Sequence, residues 1–145
     1  MESSIFCDSG WNFNRIDAMT AVNNGQNCYH IPALKYTPFG VKTHTPANTP
    51  TRAPGSTNGH AMMEYIMEHA AAELKIDPLE LKQNNLMNVG SPVLPPPALL
   101  ETVNPISSMI NQLKTSSDYT NRISEAQIFN QVIYLYKLKF NDNNL

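Results

Sequence analysis

Between Thr45 and Gly59 the chain reads "TPANTPTRAPGSTNG", a run of proline, glycine and small polar residues that can continue neither a helix nor a sheet ladder. A loop this long inside a compact domain is functional or disordered. It leads directly into "HAMMEYIMEHAAAELK", His60 to Lys75, where Met62, Met63, Ile66, Met67, Ala70, Ala71 and Leu74 recur at helical spacing. That pattern predicts an amphipathic helix with Asn58 or Gly59 as its cap.

The flanking sequence predicts an α+β fold, short strands followed by helices. "NRIDAMTAV", within residues 11–24, reads as a short helix. In "FGVKTHT", Phe39, Val41, Thr43 and Thr45 alternate with Gly40, Lys42 and His44, the period of a strand. Pro32 and Pro38 divide this region or place it at a sheet edge. Asp77 is a good N-cap, Pro78 suits the first helical position, and Glu80 would complete a capping box. "SPVLPPPA", 91–98, reads as an extended, internally unbonded linker, so a boundary is expected at residue 91. Beyond it, Asn104–Pro105 resembles a cap. Ile106, Met109, Ile110 and Leu113 follow at helical spacing, and Ser124 with Gln127 opens a last helix bearing Ile128, Phe129, Val132, Ile133 and Tyr136. The C-terminal part is thus expected to be helical.

Composition narrows the function classes. Among 145 residues only 15% are charged, low for a free-standing soluble domain and in keeping with a piece whose surface faces other protein. The net charge of -2 lacks the basic footprint of a nucleic-acid binder. No stretch approaches the roughly 20 apolar residues of a membrane helix, and no secretion signal opens the chain. "MESSIFCDSGW" moves straight into apolar and aromatic residues, as if beginning mid-domain. Cys7 and Cys28 are expected as free thiols in a reducing, cytoplasmic compartment. An iron–sulfur cluster usually needs more thiolates than these.

The chemistry is expected in "RAPGSTNG", Arg52 to Gly59. The first N–H groups of a helix lack internal partners and carry the positive end of its dipole. Gly55 and Gly59 permit unusual backbone angles, Ser56 and Thr57 add hydroxyls, and Arg52 adds charge. An anion or oxo-group site fits, and so does a solvent-exposed turn with an N-cap. No Gly-Lys-Ser/Thr ends the loop, which excludes a Walker-type phosphate loop. Other candidates are weaker. His60 and His69 fall on opposite sides of a helix and cannot share a metal. Glu64 and Glu68 could form an acid pair, but a solvated stripe is the default reading. Met62, Met63 and Met67 read as core. Cys28 beside Tyr29 and His30 lacks an ordered third group for a triad.

The run from Asn27 to Leu86 resembles the molybdenum-binding region of the xanthine dehydrogenase and aldehyde oxidase family. "NCYHIP" is similar to the family's Asn-Cys-Tyr-x-Ile-Pro strand. "VKTHTPANTPTRAPGSTNG" is similar to its Cys-Lys-Thr-Asn-x-Pro-Ser-Asn-Thr-x-x-Arg-Gly-Phe-Gly loop, and "EYIMEHAA" and "DPLELKQNNL" resemble the segments that follow. A fainter likeness extends from Ile5 to about Gln131. Arg52-Ala53-Pro54-Gly55-Ser56-Thr57 looks like the insect-type aldehyde oxidases.

The resemblance implies a partial molybdopterin-binding domain, with 1–90 as the C-terminal part of the first molybdenum-binding subdomain, 91–131 as a proline linker and the start of the second, and 132–145 as a tail that departs from the family's usual continuation. It implies a fragment of a molybdenum hydroxylase that oxidises aldehydes or heteroaromatics with water as oxygen source. Arg52 would present its backbone to an oxo group on molybdenum, beside Ala53 and Gly55, with no metal ligand from any side chain. Pro54 stands where xanthine dehydrogenases place a phenylalanine that stacks on purine, so the substrate pocket would favour aldehydes. Molybdenum-molybdopterin is the implied cofactor. 2Fe-2S clusters and FAD are expected in a full-length homodimeric parent, not on this fragment. The general-base glutamate of the family's later Gly-Glu motif has no counterpart here, so no catalytic residue is assigned. The other reading is a truncated, non-catalytic interaction or regulatory product.

Overall fold

The computed structural model describes residues 1–11, 16–49, 51–96 and 98–142, with side chains as far as 133. Strand β1 (Glu2–Gly10) is followed by helix α1 (Ile16–Asn24) and strand β2 (Lys35–Lys42). The two strands pair in parallel, Ile5 against Pro38 and Phe6 against Phe39. A parallel pair needs a crossover, and α1 supplies it. Helices α2 (Ser56–Leu74) and α3 (Pro78–Asn84) follow, then α4 (Ile106–Ser116) and α5 (Tyr119–Asp142). The α+β expectation holds, but a helix stands between the strands. Sequence periodicity missed β1 because Phe6, on the outer face, is as apolar as Ile5 and Cys7 on the inner one, which hides the alternation. The stacked Phe6 and Phe39 rings lie 4.8 Å apart on that outer face. Strand β2 begins earlier than "FGVKTHT" suggested and ends before Thr43. Pro38 is tolerated because β2 pairs on one side only. No helix among the described residues is long and apolar enough to cross a membrane.

The end of β1 determines where the long loop begins. The register shifts between Asp8 and Gly10, and Gly10 takes φ 67°. Asp8 Oδ1 accepts from the Gly10 N–H (2.8 Å) and the Thr43 hydroxyl (2.6 Å). These bonds, Thr43's first, hold the Asp8 carboxyl below the usual range. Thr43 N–H donates to Gly10 O, and Asn48 Nδ2 donates to Asp8 O. A Cβ at Gly10 would stand 2.0 Å from Pro46 O, so only glycine lets the loop close onto the strand here.

Helix α2 buries Met63, Met67 and Ala71, with Tyr29 completing the core cluster and Cys28, Ile31, Tyr36, Leu81 and Leu86 packed around it. The segment 28–30 pairs with the end of α3: Met87 N–H donates to Cys28 O and His30 N–H to Asn85 O. Asp77 caps α3 as expected, accepting from the Leu79 and Glu80 N–H groups. Glu64 is tied down: its Oε1 accepts from Asn27 Nδ2 and from the Tyr29 hydroxyl, both at 2.8 Å. Lys82 bridges Glu64 (3.0 Å) and Glu68, so the expected solvated stripe is an ion-pair network between α2 and α3. Burial, then Glu64, pushes the Tyr29 phenol far up. Burial works against the Lys82 charge, but Glu68 and Glu64 outweigh it and raise its pKa.

The proline segment is not a free spacer. Gly90 N–H donates to Leu100 O, Leu100 N–H to Ser91 O and Val93 N–H to Ala98 O, closing a hairpin-like turn. Buried Gln26 holds that turn, donating to Pro92 O (2.8 Å) and accepting from Leu94 N–H (3.0 Å). By its internal packing the chain divides into two compact units, Met1–Asn104 and Pro105–Leu145. In the second unit α4 has Pro105 at its N-cap with no side-chain cap hydrogen bond. Asn104 Nδ2 donates to Met87 O. Helix α5 begins at Tyr119, ahead of Ser124. Tyr136 lies outside the described side chains.

Two stability outcomes follow. Gly90 has φ 84° but open space around it. Gly90→Ala is expected to cost about 1 kcal/mol and Gly10→Ala at least about twice that in urea unfolding; equal costs would show that the Pro46 contact is unimportant. Tyr29 and Lys82 both bind protons more tightly folded than unfolded. Their stabilisation is therefore complete below about pH 10 and lost as pH rises beyond it. Tm from about pH 8 to about pH 12 is expected to fall more steeply in the parent chain than in Tyr29→Phe/Lys82→Met; parallel curves would remove the network from the alkaline transition.

Candidate functional site

The loop is anchored at its far end by helix α1. Gly55, at φ 69°, is the N-cap of α2, and no side chain caps the helix. A Cβ on Gly55 would lie 2.2 Å from Asp17 O and 2.6 Å from Ala21 N; one on Gly59 would lie 2.5 Å from Ala21 O. Ala18 and Ala21 are each 1% exposed, so two small-residue surfaces meet with backbone almost on backbone. The helix therefore starts before His60, and Asn58 and Gly59 belong to its first turn, not to its cap. The turn before it is tight. Ala53 also has positive φ (49°), Pro54 follows with its constrained φ, and the Ser56 N–H turns back to Ala53 O at 3.2 Å. A non-glycine residue at positive φ stores about 1–2 kcal/mol of strain, of the kind that collects at ligand sites.

This geometry gathers Arg52, Ala53, Pro54 and Gly55 along one open pocket of about 230 Å³. Thr49 and Thr51 line it from the loop, Thr57 and Asn58 from the first turn of α2, and Asp17 from α1. The loop's composition pointed to the hydroxyl-bearing residues, but Ser56 is not among the lining. Asp17 was missed, and no local signal could have found it, because its place depends on α1 packing against Gly55. The donors fit an oxygen-rich, anionic group: hydroxyls, an amide, a guanidinium and an uncapped helix start converge on one opening.

The other candidates lie elsewhere. Glu64 and Glu68 belong to the Lys82 network. Met63 and Met67 are core. Burial, then Glu64, pushes the Cys28 thiol up, the reverse of what an activated nucleophile needs.

Residues 1–86 match the family described as the molybdopterin cofactor-binding domain. The chain is 24% identical over 132 residues to a xanthine dehydrogenase from Blastobotrys adeninivorans, covering 90% of this chain and 9% of that protein. It is 31% identical over 109 residues to a putative aldehyde oxidase-like protein from Oryza sativa subsp. japonica, covering 74% and 8%. Its fold superposes on the aldehyde oxidoreductase of Desulfovibrio gigas with a TM-score of 0.69 and 25% identity, over 87% of this chain and 14% of that one. The chain thus spans under a tenth of the length of these curated relatives. A glycine-bracketed loop running into an uncapped helix, together with these matches, establishes that the chain belongs to the molybdopterin cofactor-binding domain family, in the region shared by xanthine dehydrogenases and aldehyde oxidases.

Proposed function

We propose that this chain supplies the cofactor-facing loop of a molybdenum hydroxylase that oxidises aldehydes or heteroaromatics with water as the oxygen source. One observation supports this above others: Arg52, Ala53, Pro54 and Gly55 share a single pocket with the uncapped first turn of α2. When bound, the molybdenum-pterin group supplies two-electron oxidation. The chain's own residues bind and orient. The backbone at Arg52, Ala53 and Gly55 forms the wall that receives the cofactor's oxygen-rich face, and the Arg52 guanidinium adds positive charge. Donors held in place before the reaction need no reorganisation during it, which is how fixed dipoles lower a barrier. Both ends of the loop are fastened, to Asp8 and Gly10 at its start and to α1 at its end, and that fastening keeps the donors fixed.

Pro54 shapes the substrate side. Its ring has no π face, so it favours aldehydes over flat purines. No residue of this chain serves as the general base. In the full-length protein, a cytoplasmic homodimer in this reading, 2Fe-2S clusters and FAD would take the electrons onward.

In the full-length protein, Pro54→Phe is expected to raise kcat/KM for a purine relative to benzaldehyde by about threefold to tenfold, the range of one aromatic stacking contact. An unchanged ratio would remove Pro54 from the pocket. The 145-residue chain alone is expected to retain no molybdenum through gel filtration and to oxidise no aldehyde. Aldehyde turnover with metal retained, measured by dye reduction and elemental analysis, would overturn the assignment of this chain as one wall of a larger site.

A further inference from the structure

We infer that Asp8 is a positioning residue of the loop pocket, fixing from outside it where the segment bearing Thr49, Thr51 and Arg52 lies. The inference rests on the proposed reading of that loop as a cofactor wall. Asp8 stands near the end of β1, at the register shift and on the exposed face, and is not among the residues lining the pocket. Its Oδ1 accepts from the Gly10 N–H at 2.8 Å, a local turn that aspartate readily makes. The same oxygen accepts from the Thr43 hydroxyl at 2.6 Å, 35 residues along the chain, and Thr43 Oγ1 lies 3.0 Å from Thr45 Oγ1. The Asp8 carbonyl accepts from Asn48 Nδ2 at 3.0 Å. One residue thus joins the strand end to both ends of the segment that leads into the loop.

The consequence for the pocket follows from chain length. Asn48 is the chain neighbour of Thr49, and Thr49, Thr51, Arg52, Ala53, Pro54 and Gly55 line the opening. At the far end Gly55 is pressed against Asp17 O and Ala21 N, too close for a Cβ. The lining therefore belongs to a short span held at both ends, and such a span has few conformations open to it. Backbone bonds also join the two segments, Trp11 N–H to Thr45 O and Thr43 N–H to Gly10 O, but both lie beyond the turn that the Asp8 carboxylate closes. Without the carboxylate, the Gly10 turn and the Thr43 link lose their acceptor, and the carbonyl that receives Asn48 is no longer held in place. The contacts that keep the Asp8 carboxyl below its usual range, Thr43's first, mark it as an ionised, acceptor-only group.

The experiment follows amide order parameters of the isotope-labelled 145-residue chain by NMR. Asp8→Ala is expected to lower them at Thr49, Thr51, Arg52 and Ala53 from about 0.85 to below about 0.6, while Met63, Met67 and Ala71 in α2 keep theirs. Asp8→Asn retains an Oδ1 acceptor and is expected to restore most of the order. Thr43→Val removes the hydroxyl at nearly constant size. It is expected to loosen the same amides, and Asp8→Ala/Thr43→Val to be no looser than Asp8→Ala alone, because the two side chains act through one bond. Unchanged loop order in Asp8→Ala and Thr43→Val would overturn the proposal. So would a loss of order spread equally over α2, which marks general destabilisation. In the full-length protein, molybdenum retained per chain through gel filtration is expected to fall at least about threefold in Asp8→Ala and to recover in Asp8→Asn. If the loop loosens while retained molybdenum stays constant, the cofactor-wall reading falls and the hold of Asp8 on the loop stands.

Discussion

The contact on which the site depends is the approach of α1 to the loop–helix junction, which glycine alone permits. At Gly55 and Gly59 there is no space for even a methyl group before Asp17 O and Ala21 O. Close backbone packing of this kind is stiff, since no side chain can adjust its rotamer to absorb a displacement. The start of α2 is thus located by α1, and α1 by the strands it connects. At the other end the loop is held by hydrogen bonds to Asp8 and Gly10. A segment of irregular backbone becomes a fixed surface because both of its ends are tied to regular elements.

The polar network beneath it has a different task. Glu64 joins the 27–29 segment to α2, and Lys82 joins α2 to α3. Partial burial makes such groups costly to separate, so they specify which way these elements face one another more than they add net stability. The apolar cluster of Tyr29, Met63 and Met67 lies alongside. Met and Tyr divide the work: flexible thioethers fill space, and the phenol ends the cluster on a carboxylate acceptor.

Considerable apolar surface remains open. Phe6 is 67% exposed and stacks on Phe39, and in the second unit Met109 and Leu113 line an open groove along α4 with Ile106 and Ile110. This is the structural counterpart of a chain with only 15% charged residues.

The sequence by itself determined the loop, the two helices after it and the Asp77 cap, because proline and glycine placement, apolar periodicity and capping chemistry act over a few residues. It also carried the family likeness, since the Arg52–Gly55 turn and its neighbours are contiguous. Where the helix truly starts was decided by tertiary structure: Asn58 and Gly59 are plausible caps locally, but the close approach to Ala21 draws them into the first turn. Strand β1 became a strand only through pairing with β2 across α1, because its own residues do not alternate cleanly. The fold of the proline segment depended on Gln26, far away along the chain. Asp17 joined the pocket for the same reason: local rules describe the chain's neighbours in sequence, and a site is made of neighbours in space.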